Sequence, residues 1–360
     1  VTPITIDDPN RTLIVLPTWV GDFVMATPAL RAIRDRFPQS RITFLAVENL
    51  RDLIDGGDWM DEVVTWPTGA KQGRVGAFLK LIRDLRRRAF DLAVLFPNSF
   101  RSGLAAALSG AARQVGYDRD GRGFLLTDRL DVPRENGELR PHPICDYYAR
   151  IAMALGCPHP GDHLELFTTQ ASGDAITRRL DSLGIAGRRP NVVISPGASF
   201  GASKLWLLDR FAAVADRLHD ERDAAVVITC GPGEEGIARE IADAMTRPVH
   251  VFDRPRLSLG ELKSLIARGD LLICTDAGPR HIAKAFGVPV VTIFGPTHQA
   301  WTDTNYESER KVSIPVDCGP CQQKACPLGH HKCMTGVTVE MVYERCAELL
   351  AKQLQSLACR

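Results

Sequence analysis

The chain has 360 residues, 45% of them hydrophobic and 24% charged, with a formal net charge of +1. That composition suits two globular domains, each burying its own core, and argues against a disordered chain or one drawn to nucleic acid by its overall charge. No stretch approaches the roughly 20 apolar residues of a membrane span, and the polar opening with Asp7 and Asp8 lacks a basic-then-apolar leader, so the chain reads as cytoplasmic.

Residues 13–16 read as a first strand. The run Pro-Thr-Trp-Val-Gly-Asp, residues 17–22, follows directly. Gly21 permits a sharp backbone bend and leaves Asp22 exposed at the strand's carboxyl end, where open α/β sheets carry their chemistry. Two readings stand for Asp22: a general base, or a cap on the following helix, whose positive end suits a carboxylate. The pattern over 28–37 predicts a helix that starts at Pro28 with Thr27 as its cap. Strands at 41–46 and 92–96, with a helical pattern at 75–88, continue the rhythm of a parallel sheet and crossover helices. After the last of these strands, Pro-Asn-Ser-Phe-Arg-Ser, residues 97–102, brings Ser99 and Arg101 to the same side of the sheet as Asp22.

A helix at 170–184 and a Gly/Arg/Pro turn at 186–190 separate the halves, which places the domains at 1–170 and 171–360. Strands follow at 192–195, 225–229, 249–252, 271–274 and 290–294, and a long amphipathic helix spans 339–357. The loop Pro-Gly-Ala-Ser-Phe-Gly-Ala-Ser-Lys-Leu-Trp, residues 196–206, lets a ligand approach the backbone and delivers Lys204 as a point charge, with Trp206 read as packing. Glu234 and Glu235, after the next strand, are either contacts for a ribose diol or an acidic first helical turn. The loop Thr-Asp-Ala-Gly-Pro-Arg-His joins a strand to a helix start, a natural phosphate site, and offers Thr275, Asp276, Ala277, Gly278 and His281 as contacts. Against that stand Asp276 as a cap and His281 as a packed helix residue. There is no Walker A sequence and no G-x-G-x-x-G after a strand, which weakens ATPase and nicotinamide-dehydrogenase readings.

Taken in order, residues 16–22, 97–102, 196–206, 275–281 and Phe-Gly-Pro-Thr at 294–297 resemble the ADP-heptose:lipopolysaccharide heptosyltransferases of glycosyltransferase family 9, most closely the heptosyltransferase II branch. The likeness runs from about residue 11 to about residue 345. It implies an α/β GT-B fold, two Rossmann-like parallel-sheet domains facing across a cleft, the first for the acceptor and the second for the nucleotide sugar. It also implies Asp22 as base, Lys204 facing the donor diphosphate, Asp276, Gly278 and His281 in the donor loop, and a ribose contact from Glu234 or Glu235. Arg280 departs from the pattern, standing where a small or apolar residue is common, and so does Ala277, where a hydroxyl is common. The activity implied is inverting transfer of heptose from ADP-heptose to a lipid A-core acceptor by single displacement, with no cofactor required for catalysis. A related transferase with another nucleotide sugar or glycan acceptor, and a non-catalytic nucleotide-binding protein with a structural metal, are the alternatives.

Residues 71–134 hold thirteen Lys or Arg against six Asp or Glu, among them Lys71, Arg86, Arg87, Arg88, Arg101 and Arg122. This local charge predicts attraction to an anionic acceptor, with Arg101 and Ser99 as its contacts. It also predicts transient contact with the inner face of the inner membrane, worth about 1 kcal/mol per nearby cation. Of ten cysteines, six are scattered: Cys145, Cys157, Cys230, Cys274, Cys346 and Cys359. Cys318, Cys321, Cys326 and Cys333 cluster as C-x2-C-x4-C-x6-C with His330 and His331 among them. A structural zinc, two disulfides and reduced thiols are all open readings of this cluster.

Overall fold

A computed structural model describes residues 3–67, 74–135, 138–139 and 141–358. Lys71 and Cys359 lie outside them. The chain divides into two compact units, Val1–Phe167 with Ala300–Thr304, and Thr168–Gln299 with Asn305–Arg360. No helix among the described residues is long and apolar enough to cross a membrane.

The first unit runs β1 (Arg11–Val15), α1 (Val20–Arg36), β2 (Arg41–Ala46), α2 (Arg51–Ile54), β3 (Glu62–Thr65), α3 (Arg74–Arg87), β4 (Leu92–Leu95), α4 (Phe100–Leu108), β5 (Arg113–Tyr117), β6 (Asp128–Leu130), a two-strand ribbon of β7 (Arg134–Glu135) and β8 (Glu138–Leu139), and α5 (Ile144–Ala154). The second runs α6 (Gln170–Ser182), β9 (Asn191–Ser195), α7 (Leu208–Arg222), β10 (Ala225–Thr229), α8 (Glu235–Ala244), β11 (His250–Phe252), α9 (Leu259–Ile266), β12 (Leu271–Thr275), α10 (Gly278–Ala285), β13 (Val290–Ile293), β14 (Glu309–Val312), α11 (Lys332–Thr335) and α12 (Val339–Ala358).

Each unit holds one six-stranded parallel sheet. The orders are β3-β2-β1-β4-β5-β6 and β11-β10-β9-β12-β13-β14. Both are doubly wound, and the direction of winding reverses between β1 and β4 and between β9 and β12, the crevices where such sheets bind ligands. The central strands are apolar runs because helices cover both faces. In the second unit Val192, Ile194, Ile228 and Ile273 pack with Phe211 and Leu218 of α7 and Val342 and Leu349 of α12. Trp206 belongs to this core, its indole N–H donating to the Val337 carbonyl at 3.1 Å.

Helix α1 corrects the predicted start at Pro28. It begins at Val20, and Pro28 lies inside it. Proline lacks the N–H that would bond the Val24 carbonyl, and the buried Thr27 hydroxyl donates to that carbonyl instead, at 2.8 Å. The predicted cap therefore repairs the helix interior, and Asp22 moves from a loop into the first helical turn.

Candidate active site

The loops after β1 and β4 line a cavity of about 500 Å³ in the first unit, with Trp19, Asp22, Ser99, Arg101 and Arg119 in its wall. Asp22 does not cap α1: the N-cap position is Trp19, and the half-buried carboxylate stands in the first turn, where the helix dipole favours its charge. Tyr148 lines the same cavity. Burial, reinforced by the charge of Asp22, pushes its phenol well above the usual range, so it stays protonated. The Arg101 guanidinium lies 4.4 Å over the Trp66 ring, which aims a cation into the cavity without an acid to neutralise it through that contact. Ser99 is the N-cap of α4, its hydroxyl accepting the N–H of Ser102 at 3.3 Å.

Arg122, counted with the basic stretch, is not a surface charge. It is fully buried, and its guanidinium donates to the Pro97 carbonyl, to the Tyr117 carbonyl at 3.2 Å and to the Ser102 hydroxyl at 3.0 Å. Burial lowers its pKa to about 10, still charged at neutral pH. It ties the loop that bears Ser99 to the end of β5. Sequence reasoning also missed Trp301, whose segment Ala300–Thr304 groups with the first unit. Its ring lies 5.7 Å from that of His142 in the cavity wall.

In the second unit the loops after β9 and β12 meet at a buried ion network. The Lys204 ammonium donates to the Asp276 carboxylate at 2.7 Å and to the Asp276 carbonyl at 2.9 Å, and lies 4.9 Å from the Phe200 ring centroid. Asp276 also accepts from the Thr297 hydroxyl at 2.9 Å and from Arg280 at 3.2 Å. Burial opposes its charge, but Lys204 and Arg280 outweigh burial and hold the carboxyl below its ordinary value. Asp276 is thus not a cap; the N-cap position of α10 is Ala277, followed by Gly278 and Pro279. The Thr275 hydroxyl donates to the Gly197 carbonyl at 2.8 Å and joins the two loops.

Arg280, the departure from the family pattern, is fully buried and grips Glu309 through two nitrogens, at 2.5 and 3.0 Å. Lys284 reaches the same carboxylate at 2.8 Å. Arg280 therefore links Asp276 of the loop after β12 to Glu309 of β14. His281 is only 2% exposed, and its Nδ1 has no hydrogen-bond partner. Burial, with Arg280, Lys284 and Lys204 nearby, drops its pKa far enough to keep it neutral. Glu309 is a network member that sequence reading missed, because β14, Glu-Arg-Lys-Val, carries no apolar run.

Glu234 and Glu235 diverge. Glu234 accepts the Gly231 N–H at 2.8 Å, and its carboxylate lies so close over Gly197 that a Cβ there would come within 1.9 Å of it. Glu235 turns away to Arg256 at 2.8 Å. Only Glu234 borders the loop that leads to Lys204.

The zinc reading of Cys318, Cys321, Cys326 and Cys333 finds no support: among the described residues no group of three or more His, Cys, Asp or Glu is placed to hold a metal ion. Two of the possible donors meet backbone groups. The Cys326 sulfur accepts the His331 N–H at 3.4 Å, and the His331 ring lies 2.7 Å from the Ser203 carbonyl. All nine described cysteines are free thiols. One Asp-x-Asp run occurs, at Asp118 and Asp120, but the Asp118 carboxylate folds over Gly123 and closes a turn.

Residues 78–332 match glycosyltransferase family 9 (heptosyltransferase). Lipopolysaccharide heptosyltransferase 2 of Escherichia coli is 25% identical over 350 residues, covering 95% of this chain and 99% of that protein. A glycosyl transferase family 9 structure from Veillonella parvula superposes with a TM-score of 0.82 at 20% identity, over 95% of this chain and 97% of the other. The structure of E. coli ADP-heptose lps heptosyltransferase II gives 0.78 at 23% identity, over 95% and 99%. These neighbours share the GT-B fold of two parallel-sheet units, and the chain belongs to glycosyltransferase family 9, the heptosyltransferases.

Proposed function

We propose that this glycosyltransferase moves heptose from ADP-heptose to the inner core of lipopolysaccharide with inversion, at the cytoplasmic face of the inner membrane. The observation that carries the reading is Asp22, set in an open cavity at the switch point of the first sheet. In this reading the first unit takes the acceptor, with Arg101 meeting its anionic groups, and the second takes the donor, with Glu234 on the ribose. Lys204 faces the diphosphate: two of its ammonium protons are held by Asp276, and the third is left for a phosphate oxygen.

The reaction is a single displacement. Asp22 removes the proton of an acceptor hydroxyl, and the oxygen attacks the anomeric carbon of the heptose. The bond from that carbon to the phosphate oxygen breaks, and ADP departs with the electron pair. Lys204, Arg280, Lys284, Asp276 and Glu309 sum to one positive charge, which, with the start of α10, offsets the negative charge growing on ADP. This role for Lys204 and α10 requires no metal ion.

The test is ADP release and product mass with ADP-heptose and a Kdo-lipid A acceptor, with and without the first heptose, in EDTA. Transfer is expected, and Asp22→Asn is expected to lower kcat by about 10²- to 10⁴-fold while leaving donor affinity intact. Full activity in Asp22→Asn would remove the base assignment. Tight ADP binding without transfer to either acceptor would remove the assigned sugar or acceptor.

A further inference from the structure

Among the described residues seven large hydrophobic side chains are exposed, and six of them belong to the first unit. Five of those six lie on α3, α4 and the short turn Gly123–Leu125, three elements packed in sequence against one another. Along α3 the outward positions are Val75, Leu79, Arg83 and Arg86, while Leu81, Ile82 and Leu85 face the core. Along α4 they are Phe100, Leu104 and Leu108. Spacings of three and four put each set on one helix face. Phe124, 71% exposed, brings its ring centroid within 6.1 Å of that of Phe100.

Cations border this apolar surface. Lys80, Arg83, Arg86 and Arg87 are exposed on α3, whose acid Asp84 pairs with Arg88 at 3.2 Å. A Cβ on Gly110 would lie 3.9 Å from Arg86 Nε, so the basic end of α3 stands beside the end of α4. The acids near Phe124 are engaged locally: Asp118 folds over Gly123, and Asp120 lies 3.6 Å from Arg119. Ser99 and Arg101, the chain neighbours of Phe100, line the cavity that holds Asp22. The apolar surface therefore borders the cavity wall.

Exposed apolar side chains on two adjacent helices, bordered by cations, match an anionic bilayer: the apolar groups enter the boundary of headgroups and acyl chains while the cations meet lipid phosphates. We infer that the face formed by α3, α4 and Phe124 docks this unit on an anionic membrane surface, so that a saccharide still anchored to its lipid reaches Asp22. The inference rests on the acceptor reading above for its purpose and on membrane binding alone for its test.

The test is flotation of the full chain with vesicles of phosphatidylglycerol and phosphatidylethanolamine, against vesicles of phosphatidylcholine alone. The protein is expected to float with the anionic vesicles and to lose most of that binding at high salt. Lys80→Ala with Arg83→Ala should lower partitioning about 25-fold, about fivefold per cation. Leu79→Ser with Phe124→Ser should lower it by at least about tenfold. All four positions are on the surface, and unchanged circular dichroism and thermal unfolding would establish that the variants fold. Both variants should keep wild-type turnover on a delipidated acceptor and lose it on the lipid-linked acceptor in vesicles. Failure of the wild type to float, equal flotation of the variants, or an ultracentrifuge result in which the patch instead holds a dimer would each overturn the inference. If no acceptor is glycosylated at all, the functional reading fails while flotation still decides the docking.

Discussion

Replacing Glu309 with Gln tests whether the cationic network is held in place by its own carboxylates. The Glu309 side chain is buried, bonded to Arg280, to Lys284 at 2.8 Å and to the Thr292 hydroxyl at 2.7 Å. Burial opposes its charge, yet Arg280 and Lys284 bring its pKa from 4.5 down to about 2. At about 1.4 kcal/mol per unit, that shift corresponds to roughly 3 kcal/mol of stability. Because the folded value lies below the unfolded one, the stabilisation is complete above about pH 4.5 and is lost as the pH falls toward about 2. Gln preserves the shape but leaves Arg280, which has no exposed surface, against a neutral amide; removing one partner of a buried pair costs about 3–5 kcal/mol. The two routes agree. At roughly 2–4 °C per kcal/mol, the thermal transition of the second unit at pH 7 should fall by about 6–20 °C, and the gap from wild type should narrow as the solution is acidified. Calorimetry from pH 7 to pH 3 reads both effects. A loss below about 2 °C, or one of constant size across that range, would refute the reasoning.

Lys204→Met should reduce kcat about 10²- to 10³-fold, because in the proposed mechanism the cation acts mainly on charge that develops at the leaving diphosphate; steady-state rates at saturating donor check this. Glu234→Ala should weaken ADP binding about tenfold by calorimetric titration, and Glu235→Ala should leave it unchanged, since only the former carboxylate borders the Lys204 loop. Thr27→Val should cost about 1–3 kcal/mol in urea unfolding, because the Val24 carbonyl, which Pro28 cannot serve, loses its donor inside a buried helix.

The central strands were legible because both faces are covered, so their sequences are uninterrupted apolar runs such as Leu-Ala-Val-Leu at β4. The edge strands β3, β6 and β14 were not, because a half-covered strand carries polar residues that resemble loop, whereas the edge strand β11 was found at 249–252. The position of Asp22 followed from its place after β1, but its helical setting did not. Pro28 reads locally as a first helical residue, and only the Thr27 bond to Val24 shows how a proline is accommodated farther in. Charge counting failed at Arg122 for a related reason: composition records that a cation is present and not whether carbonyls have drawn it inward. The cysteine spacing suggested a metal site, whereas backbone N–H groups and a carbonyl are what the sulfur of Cys326 and the ring of His331 meet.

The two sheets share one strand order, so the loops after β1 and β9 hold equivalent places, yet one leads to a half-buried carboxylate in a cavity wall and the other to a buried cation. The proposed chemistry explains the difference. A base must reach a hydroxyl brought in by a large acceptor, which favours Asp22 in a cavity wall at a helix start, where the dipole suits a carboxylate. A cation that stabilises a leaving diphosphate gains from being withdrawn from water, where its field is least screened. A cation withdrawn from water loses hydration that a partner must offset, so Lys204 needs a carboxylate at its side, and Asp276 meets that need. Asp276 is in turn fixed by Arg280, and a fully buried Arg280 requires Glu309. Arg280 and the glutamate on a polar edge strand therefore act as one unit, and Arg280→Leu together with Glu309→Leu should be tolerated far better than either change alone.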